Sequence, residues 1–377
     1  EIKNFLEFDQ VYENTKVIRL EENYRSTENI LAVASSLIAN NENRVGKTLK
    51  TTLNEGELVK LNCYKNGKDE AIGISDEIEK IKKEYSYNNI TILVRAIFQT
   101  REFEERFLKI GLPYRILGGI KFYERAEIKD CVAYLRLVYQ EKDDLAFERI
   151  VNNPKRSIGD STLKSIHEFA KKQRDCLEIS SRKMIQENLI KPKAKIGLIS
   201  FLDLLSKWRN DLAIKKMGHI KLLQTILDES GYSAMLKNKK DLENENRLEN
   251  IKELLSAMKE FDNLESFLDH VSLATSIDQE WEGEKVNMMT MHAAKGLEFE
   301  VVFLPGWEEG LFPHQKSIEE KGQNGLEEER RLAYVGLTRA KKKVVVSFSM
   351  NRFYQGDWMD SMASRFIDEL PDKYLEK

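Results

Sequence analysis

"MHAAKGLEFEVVFLPG", residues 291–306, sets three ionisable side chains beside a run that reads as a fully buried strand, Val301-Val302-Phe303-Leu304. A second buried strand, Val286 to Met291, leads into it. Between the two lie His292, Lys295 and Glu298, with small residues and a glycine. Continuous apolar runs of this length are the mark of strands buried on both faces. The question is what a tight, charged turn between two such strands holds.

Working outward, strand and helix patterns alternate. Val17 to Leu20 reads as a short strand, and Ile30, Leu31, Val33, Ala34, Leu37 and Ile38 follow the spacing of an amphipathic helix. Ser26 is the expected N-cap, with Glu28 in the first turn. Leu58–Tyr64, Ile90–Arg95 and Tyr114–Leu117 read as strands, separated by helices over Glu70–Lys83 and Gln99–Ile110. This alternation predicts an α/β fold with a parallel, doubly wound sheet. From about Glu124 to about Leu273 helical patterns dominate instead: Ile128–Tyr139, Ser161–Lys172, Leu198–Trp208, Ile220–Leu227 and Leu248–Phe261, with breaks at Pro154, Gly159, Pro192 and Gly231. Strands return after Trp281, ending with Val344–Phe348. A helical block therefore interrupts an α/β domain. The polar stretch Gln315–Gly325 reads as an exposed loop.

The 377 residues allow two or three domains. Charge is abundant (33%) but nearly balanced at −3, so nucleic-acid binding has to come from local basic surfaces. Three well-separated cysteines form no metal spacing, which fits a reducing, cytoplasmic setting; Cys131 falls on the apolar face of a helix and reads as a core thiol. No stretch reaches the length of a membrane span, and no signal peptide is visible. The chain opens at Glu1 in what reads as a helical pattern (Ile2, Phe5, Leu6), as expected of a fragment of a longer protein.

Gly46-Lys47-Thr48 resembles the end of a phosphate loop, but Asn41 stands where the first glycine belongs, and a helix, not a strand, precedes it. No complete phosphate loop occurs elsewhere in the chain. "LEENYRSTENI" sets Tyr24 and Arg25 between a strand and a helix, the sheet edge at which ligands bind in open α/β folds. An arginine beside a helix N-terminus calls for an anion between them. "EEERRLAYVGLTRAKKKVVVS" reads as a helix leading into a buried strand, with a Glu327–Arg331 pair at i, i+4 and Arg339 at its end facing a sheet edge. Arg330 and Lys341 to Lys343 read as solvated.

Taken together, NYRST, then HAAKGLEFEVVFLPG, then EEERRLAYVGLTRA, with LPYRILGGIKFYERAEIKDCVAYLRL and SRFIDELP, resemble the C-terminal half of a UvrD/PcrA/Rep-type superfamily 1 DNA helicase over nearly the whole chain. The resemblance implies a RecA-like domain, 2A, over 1–117 and 281–377, carrying an inserted helical domain, 2B, over 118–280. It implies ATP in a cleft shared with an N-terminal RecA-like domain that brings the phosphate loop and the Mg²⁺ carboxylates. On that reading Tyr24 stacks on adenine, Arg25 and Arg339 reach the γ-phosphate as arginine fingers, and Glu298 accepts from the ribose. His292 lies near single-stranded DNA, and Arg95 contacts its phosphates, although Ala96-Ile97-Phe98 replace the polar pair that usually follows. Lys295 is left between a site role and a role holding the turn.

In the helical block "NNPKRSIGDSTLKSIHEFA" resembles a helix-hairpin-helix that grips duplex DNA. Ser157-Ile158-Gly159 stand where the family has Gly-Ile-Gly, Asp160 or Ser161 is the expected cap, and Lys155 and Arg156 lead a local basic excess that includes Lys164, Lys171, Lys172 and Arg174. The implied function is ATP-dependent 3′-to-5′ unwinding in repair or replication, with partner proteins of those pathways. Two alternatives stand beside it: a helicase-nuclease subunit of the AddA or RecB kind, and a DNA-binding module without ATPase activity.

Overall fold

The computed structural model describes residues 21–42, 50–214, 217–238, 242–276, 283–354 and 357–377. The expected strand at Val17–Leu20, the opening helical pattern and Gly46-Lys47-Thr48 lie outside these residues. The chain divides into two compact units: one of Glu1–Ile120, Glu282–Phe353 and Trp358–Lys377, the other of Lys121–Trp281 and Tyr354–Asp357.

Among the described residues the sheet of the first unit has eight strands: β1 (Val59–Asn66), β2 (Ile90–Val94), β3 (Tyr114–Ile116), β4 (Val286–Thr290), β5 (Phe299–Leu304), β6 (Ala340–Tyr354), β7 (Asp357–Asp360) and β8 (Leu375–Glu376). Their order is β3-β4-β2-β5-β6-β1-β8, parallel throughout, with β7 paired to β6. The pleat divides the apolar residues between two cores. Ile92, Val94, Met288, Val301, Phe303 and Val345 pack with Ile74, Ile78, Phe103 and Phe107 from helices Gly67–Ile81 and Thr100–Ile110. Leu93, Met289, Val302, Leu304, Val344 and Val346 pack with Ile30, Val33, Leu37, Ala333 and Leu337 from helices Glu28–Ala39 and Gln323–Leu337. A sheet covered on both faces needs apolar residues at every strand position, which is why β2 and β5 read as unbroken apolar runs. This is the doubly wound, RecA-like arrangement.

Residues 291–298 cross the sheet from one edge to the other. The Met291 N–H donates to Val94 O, where β2 and β4 end. The Phe299 N–H donates to Arg339 O, and Phe299 is in register with Ala340, where β5 and β6 begin. His292 is therefore at the C-terminal edge of the sheet and Glu298 at the N-terminal edge.

Between Lys121 and Ser276 every regular element among the described residues is helical, including Ala126–Tyr139, Asp160–Gln173 and Pro192–Ala213. Cys131 is fully buried there, and burial pushes its thiol well above the ordinary range.

Gln315–Gly325 is a correction: it is not a loop but helix Gln315–Lys321 and the start of Gln323–Leu337. A Cβ on Gly325 would come within 2.1 Å of Ser317 O, so glycine lets the two helices meet. Arg330 and Lys343 also depart from the solvated reading. Arg330 is buried, forked onto Glu369 at 2.7 Å through both Nε and Nη2, with Nη1 on Asn41 Oδ1 at 2.6 Å. Lys343 is buried on β6 and pairs with Glu77 at 3.1 Å. Each cation found a partner remote in sequence, which periodicity does not register. Arg331 pairs with Glu327 at 2.9 Å, as its spacing predicts.

Candidate functional site

At the N-terminal edge the structure brings Tyr24, Arg25, Glu298 and Arg339 together. Asn23 Oδ1 accepts from the backbone N–H groups of Arg25 (2.8 Å) and Ser26 (3.0 Å), shaping a turn. Ser26 Oγ donates to Ala340 O at 2.6 Å and the Thr27 N–H to Lys341 O at 3.2 Å, which fastens the turn to the start of β6. Tyr24 is left 80% exposed. Arg25 Nε donates to Glu298 Oε2 at 2.7 Å, and Lys341 Nζ reaches Oε1 at 2.8 Å. Arg339 donates through Nε to Val335 O (3.1 Å) and through Nη1 to Leu297 O (3.1 Å).

At this edge two cations, Arg25 and Lys341, pair with the Glu298 carboxylate, and a third, Arg339, lies nearby. The Lys341 hydrogen bond first, and that of Arg25 second, hold the Glu298 carboxyl down at about 2. Partial burial, and then the Arg25 charge nearby, lower the Arg339 guanidinium from its ordinary value. Burying a cation close to another is unfavourable, and a polyanion would relieve it.

Arg25 and Arg339 sit at the edge where β5 and β6 begin. Two expectations are corrected here. The anion facing Arg25 is Glu298, while the Glu28 and Asn29 N–H groups at the helix start donate to Asn54 O and Glu55 O. The N-cap is Thr27, because the Ser26 hydroxyl is committed to β6. Lys341 was missed: the i to i+4 logic that makes a lysine run look solvated is blind to a carboxylate on the neighbouring strand.

At the C-terminal edge Arg95 follows β2. Its Nε and Nη2 fork onto Glu329 Oε2 and Oε1, each at 2.8 Å. His292 lies beside this pair; desolvation first, and the Arg95 charge second, hold its pKa below the ordinary value. Lys295 is exposed, and its backbone N–H closes the turn on His292 O at 3.3 Å.

In the helical unit the structure separates Lys155 from Arg156. Lys155, Ser157 and Gly159 are exposed. Arg156 instead turns its guanidinium inward. Its Nη1 donates to Ile150 O (2.9 Å), Val151 O (3.1 Å) and Pro154 O (3.3 Å), and its Nη2 to Tyr134 Oη (3.0 Å). Its guanidinium lies 4.9 Å from the Phe201 ring centroid. The Ile158 side chain is fully buried, and its N–H donates to Asn152 Oδ1 at 3.2 Å. The N-cap of Asp160–Gln173 is Gly159, with no side-chain cap from Asp160 or Ser161.

Ser157 adopts φ 65°, the left-handed conformation that a glycine takes without strain. The serine holds this turn at a conformational cost. Ser157→Gly is expected to raise stability by about 0.5–1 kcal/mol, read as a higher urea midpoint with unchanged slope.

Among the described residues no group of three His, Cys, Asp or Glu side chains is placed to hold a metal ion, and no helix is long and apolar enough to cross a membrane.

The UvrD-like helicase C-terminal domain family matches residues 18–351. The chain is 45% identical, over 99% of its length, to a protein named probable DNA helicase II homolog of Rickettsia felis, covering 57% of that protein. It is 39% identical to DNA helicase II of Escherichia coli and 41% identical to the ATP-dependent DNA helicase PcrA of Bacillus subtilis, over its whole length and 53% and 52% of theirs. The chain thus spans a little over half the length of these relatives. A match that takes in both sheet segments, the helical block and both charged edges leaves no doubt of kinship: the chain belongs to the UvrD-like helicase C-terminal domain family.

Proposed function

We propose that this chain is the 2A–2B half of an ATP-dependent 3′-to-5′ DNA helicase. It supplies part of an ATP site and part of a single-stranded DNA track, and a separate grip on duplex DNA. The observation that carries the reading is the gathering of Arg25, Arg339 and Lys341 about Glu298, beside the exposed ring of Tyr24. Such a cluster fits a nucleoside triphosphate: cations for the phosphates, an ionised acceptor for a ribose hydroxyl, and an aromatic face for a base. Mg²⁺ belongs, on this reading, to the N-terminal RecA-like domain, and when bound it neutralises phosphate charge. The pathway, repair or replication, and its partner proteins are part of the proposal.

The chain carries no complete phosphate loop. The 377 residues alone are therefore expected to show no DNA-stimulated ATP hydrolysis, whereas a protein joining them to a phosphate-loop domain hydrolyses ATP and unwinds duplexes with a 3′ tail. Turnover by the isolated chain, assayed by phosphate release, would overturn this division of labour.

The DNA track is proposed along the C-terminal edge, at Arg95 and His292. Because the His292 pKa is lowered, its ring is neutral at pH 7–8, and its contact involves hydrogen bonding or stacking without charge. His292→Ala is expected to weaken single-stranded DNA binding there without changing the slope of log affinity against log salt. A slope reduced by about 0.7 would mark it instead as a charged contact. The duplex grip is proposed at Lys155, Ser157 and Gly159, where a phosphate can meet exposed backbone at the turn into the following helix.

A further inference from the structure

We propose that Glu329 is a positioning residue: it holds the Arg95 guanidinium in the orientation that meets a nucleic-acid phosphate. The proposal rests on the reading of Arg95 as a phosphate contact. Glu329 lies on helix Gln323–Leu337, and its side chain is only 4% exposed, against 19% for Arg95. Both its oxygens are used by the arginine fork, and Oε2 also accepts from the His314 N–H at 3.0 Å. A carboxylate so enclosed cannot follow the arginine if it moves. It fixes the guanidinium plane and leaves the Nη1 end of the fork for another acceptor.

The alternatives differ in sign. If charge alone mattered, the Glu329 carboxylate would repel phosphate and its neutralisation would strengthen binding. An unheld arginine, by contrast, has to lose most of its rotamer freedom each time it binds. Orientation is the larger effect here because the fork is two-pronged and mostly buried, while a phosphate at the sheet edge is screened by water and salt. The same helix runs on to Arg339, whose Nε bonds Val335 O near the helix end. Glu329 on this helix and Arg339 just past its end are thus linked by one continuous stretch of chain.

The test is binding of a protein that joins this chain to a phosphate-loop domain to a labelled oligothymidine, followed by fluorescence anisotropy at several salt concentrations. Arg95→Ala, Glu329→Gln and Glu329→Asp are compared with the parent protein, with urea midpoints as a folding control. Glu329→Asp keeps the charge and withdraws it by one methylene, so it stays informative if the glutamine variant folds poorly. Each of the three is expected to weaken binding about tenfold, the worth of one charge-assisted hydrogen bond. Adding Glu329→Gln to Arg95→Ala is expected to have no further effect. Tighter binding by Glu329→Gln, or unchanged binding by Glu329→Asp, overturns the proposal and leaves Arg95 as a phosphate contact. If Arg95→Ala binds as the parent does, or the parent protein does not bind, the reading of Arg95 itself is wrong and the role of Glu329 falls with it.

Discussion

Arg339→Ala, in a protein joining this chain to a phosphate-loop domain, is expected to lower ATP turnover about a thousandfold or more while single-stranded DNA binding survives. The reason lies in how the side chain is held. Its guanidinium is half-buried, bonded to Val335 O and Leu297 O, and carries its charge against both desolvation and the neighbouring Arg25. A cation kept in an unfavourable place is ready to stabilise negative charge that develops nearby, without reorganisation at the moment of reaction. Arg25→Ala is expected to act in the same direction, but it also strips Glu298 of one of its two cationic partners. Because Lys341 remains, the Glu298 carboxyl stays below the ordinary carboxylate range and ionised at neutral pH. Tyr24→Ala is expected to raise KM for ATP more than it lowers kcat, since stacking on a base is available before the transition state. Steady-state phosphate release with and without DNA separates these outcomes; near-normal turnover in either arginine variant would exclude it from the site.

Arg156→Ala is expected to destabilise the helical unit by about 2–3 kcal/mol, a structural effect where its place in a basic cluster predicts an electrostatic one. Removing the guanidinium leaves the carbonyls of Ile150, Val151 and Pro154 without that donor and takes the cation off the Phe201 ring. The helix that carries Phe201 also approaches closely: a Cβ on Gly197 would lie 2.1 Å from Arg156 O. There is no slack in which the turn can relax. Lys155→Ala, by contrast, is expected to leave the urea midpoint unchanged and to lower the salt slope of duplex binding by about 0.9, one phosphate contact. The double variant therefore has the slope change of one cation, not two. A slope reduced by about two would return Arg156 to the DNA surface.

These two arginines show where sequence reading succeeds and where it stops. The strands β1 to β6 and the long helices are legible because burial imposes a period on the chain, and a period is a local property. Val301 to Leu304 and Ile90 to Val94 had to be continuous apolar runs once both faces of a parallel sheet were covered. The long, specific motifs that carry the family resemblance are local too. The short helix Asp144–Ile150 left too brief a period to notice, and Gln315–Lys321 has no buried residue to create one. What a charged side chain faces is a different kind of fact. Arg25 and Glu298 stand 273 residues apart, Arg95 and Glu329 234, and only chain crossings set by the sheet bring them within 3 Å. Lys155 and Arg156 are neighbours with the same charge, yet one is exposed and the other is committed to backbone carbonyls, because Ser157 turns left-handed and Ile158 is drawn into the core. Composition and spacing can count cations; where each one points depends on desolvation and on partners that exist only once the distant segments have packed.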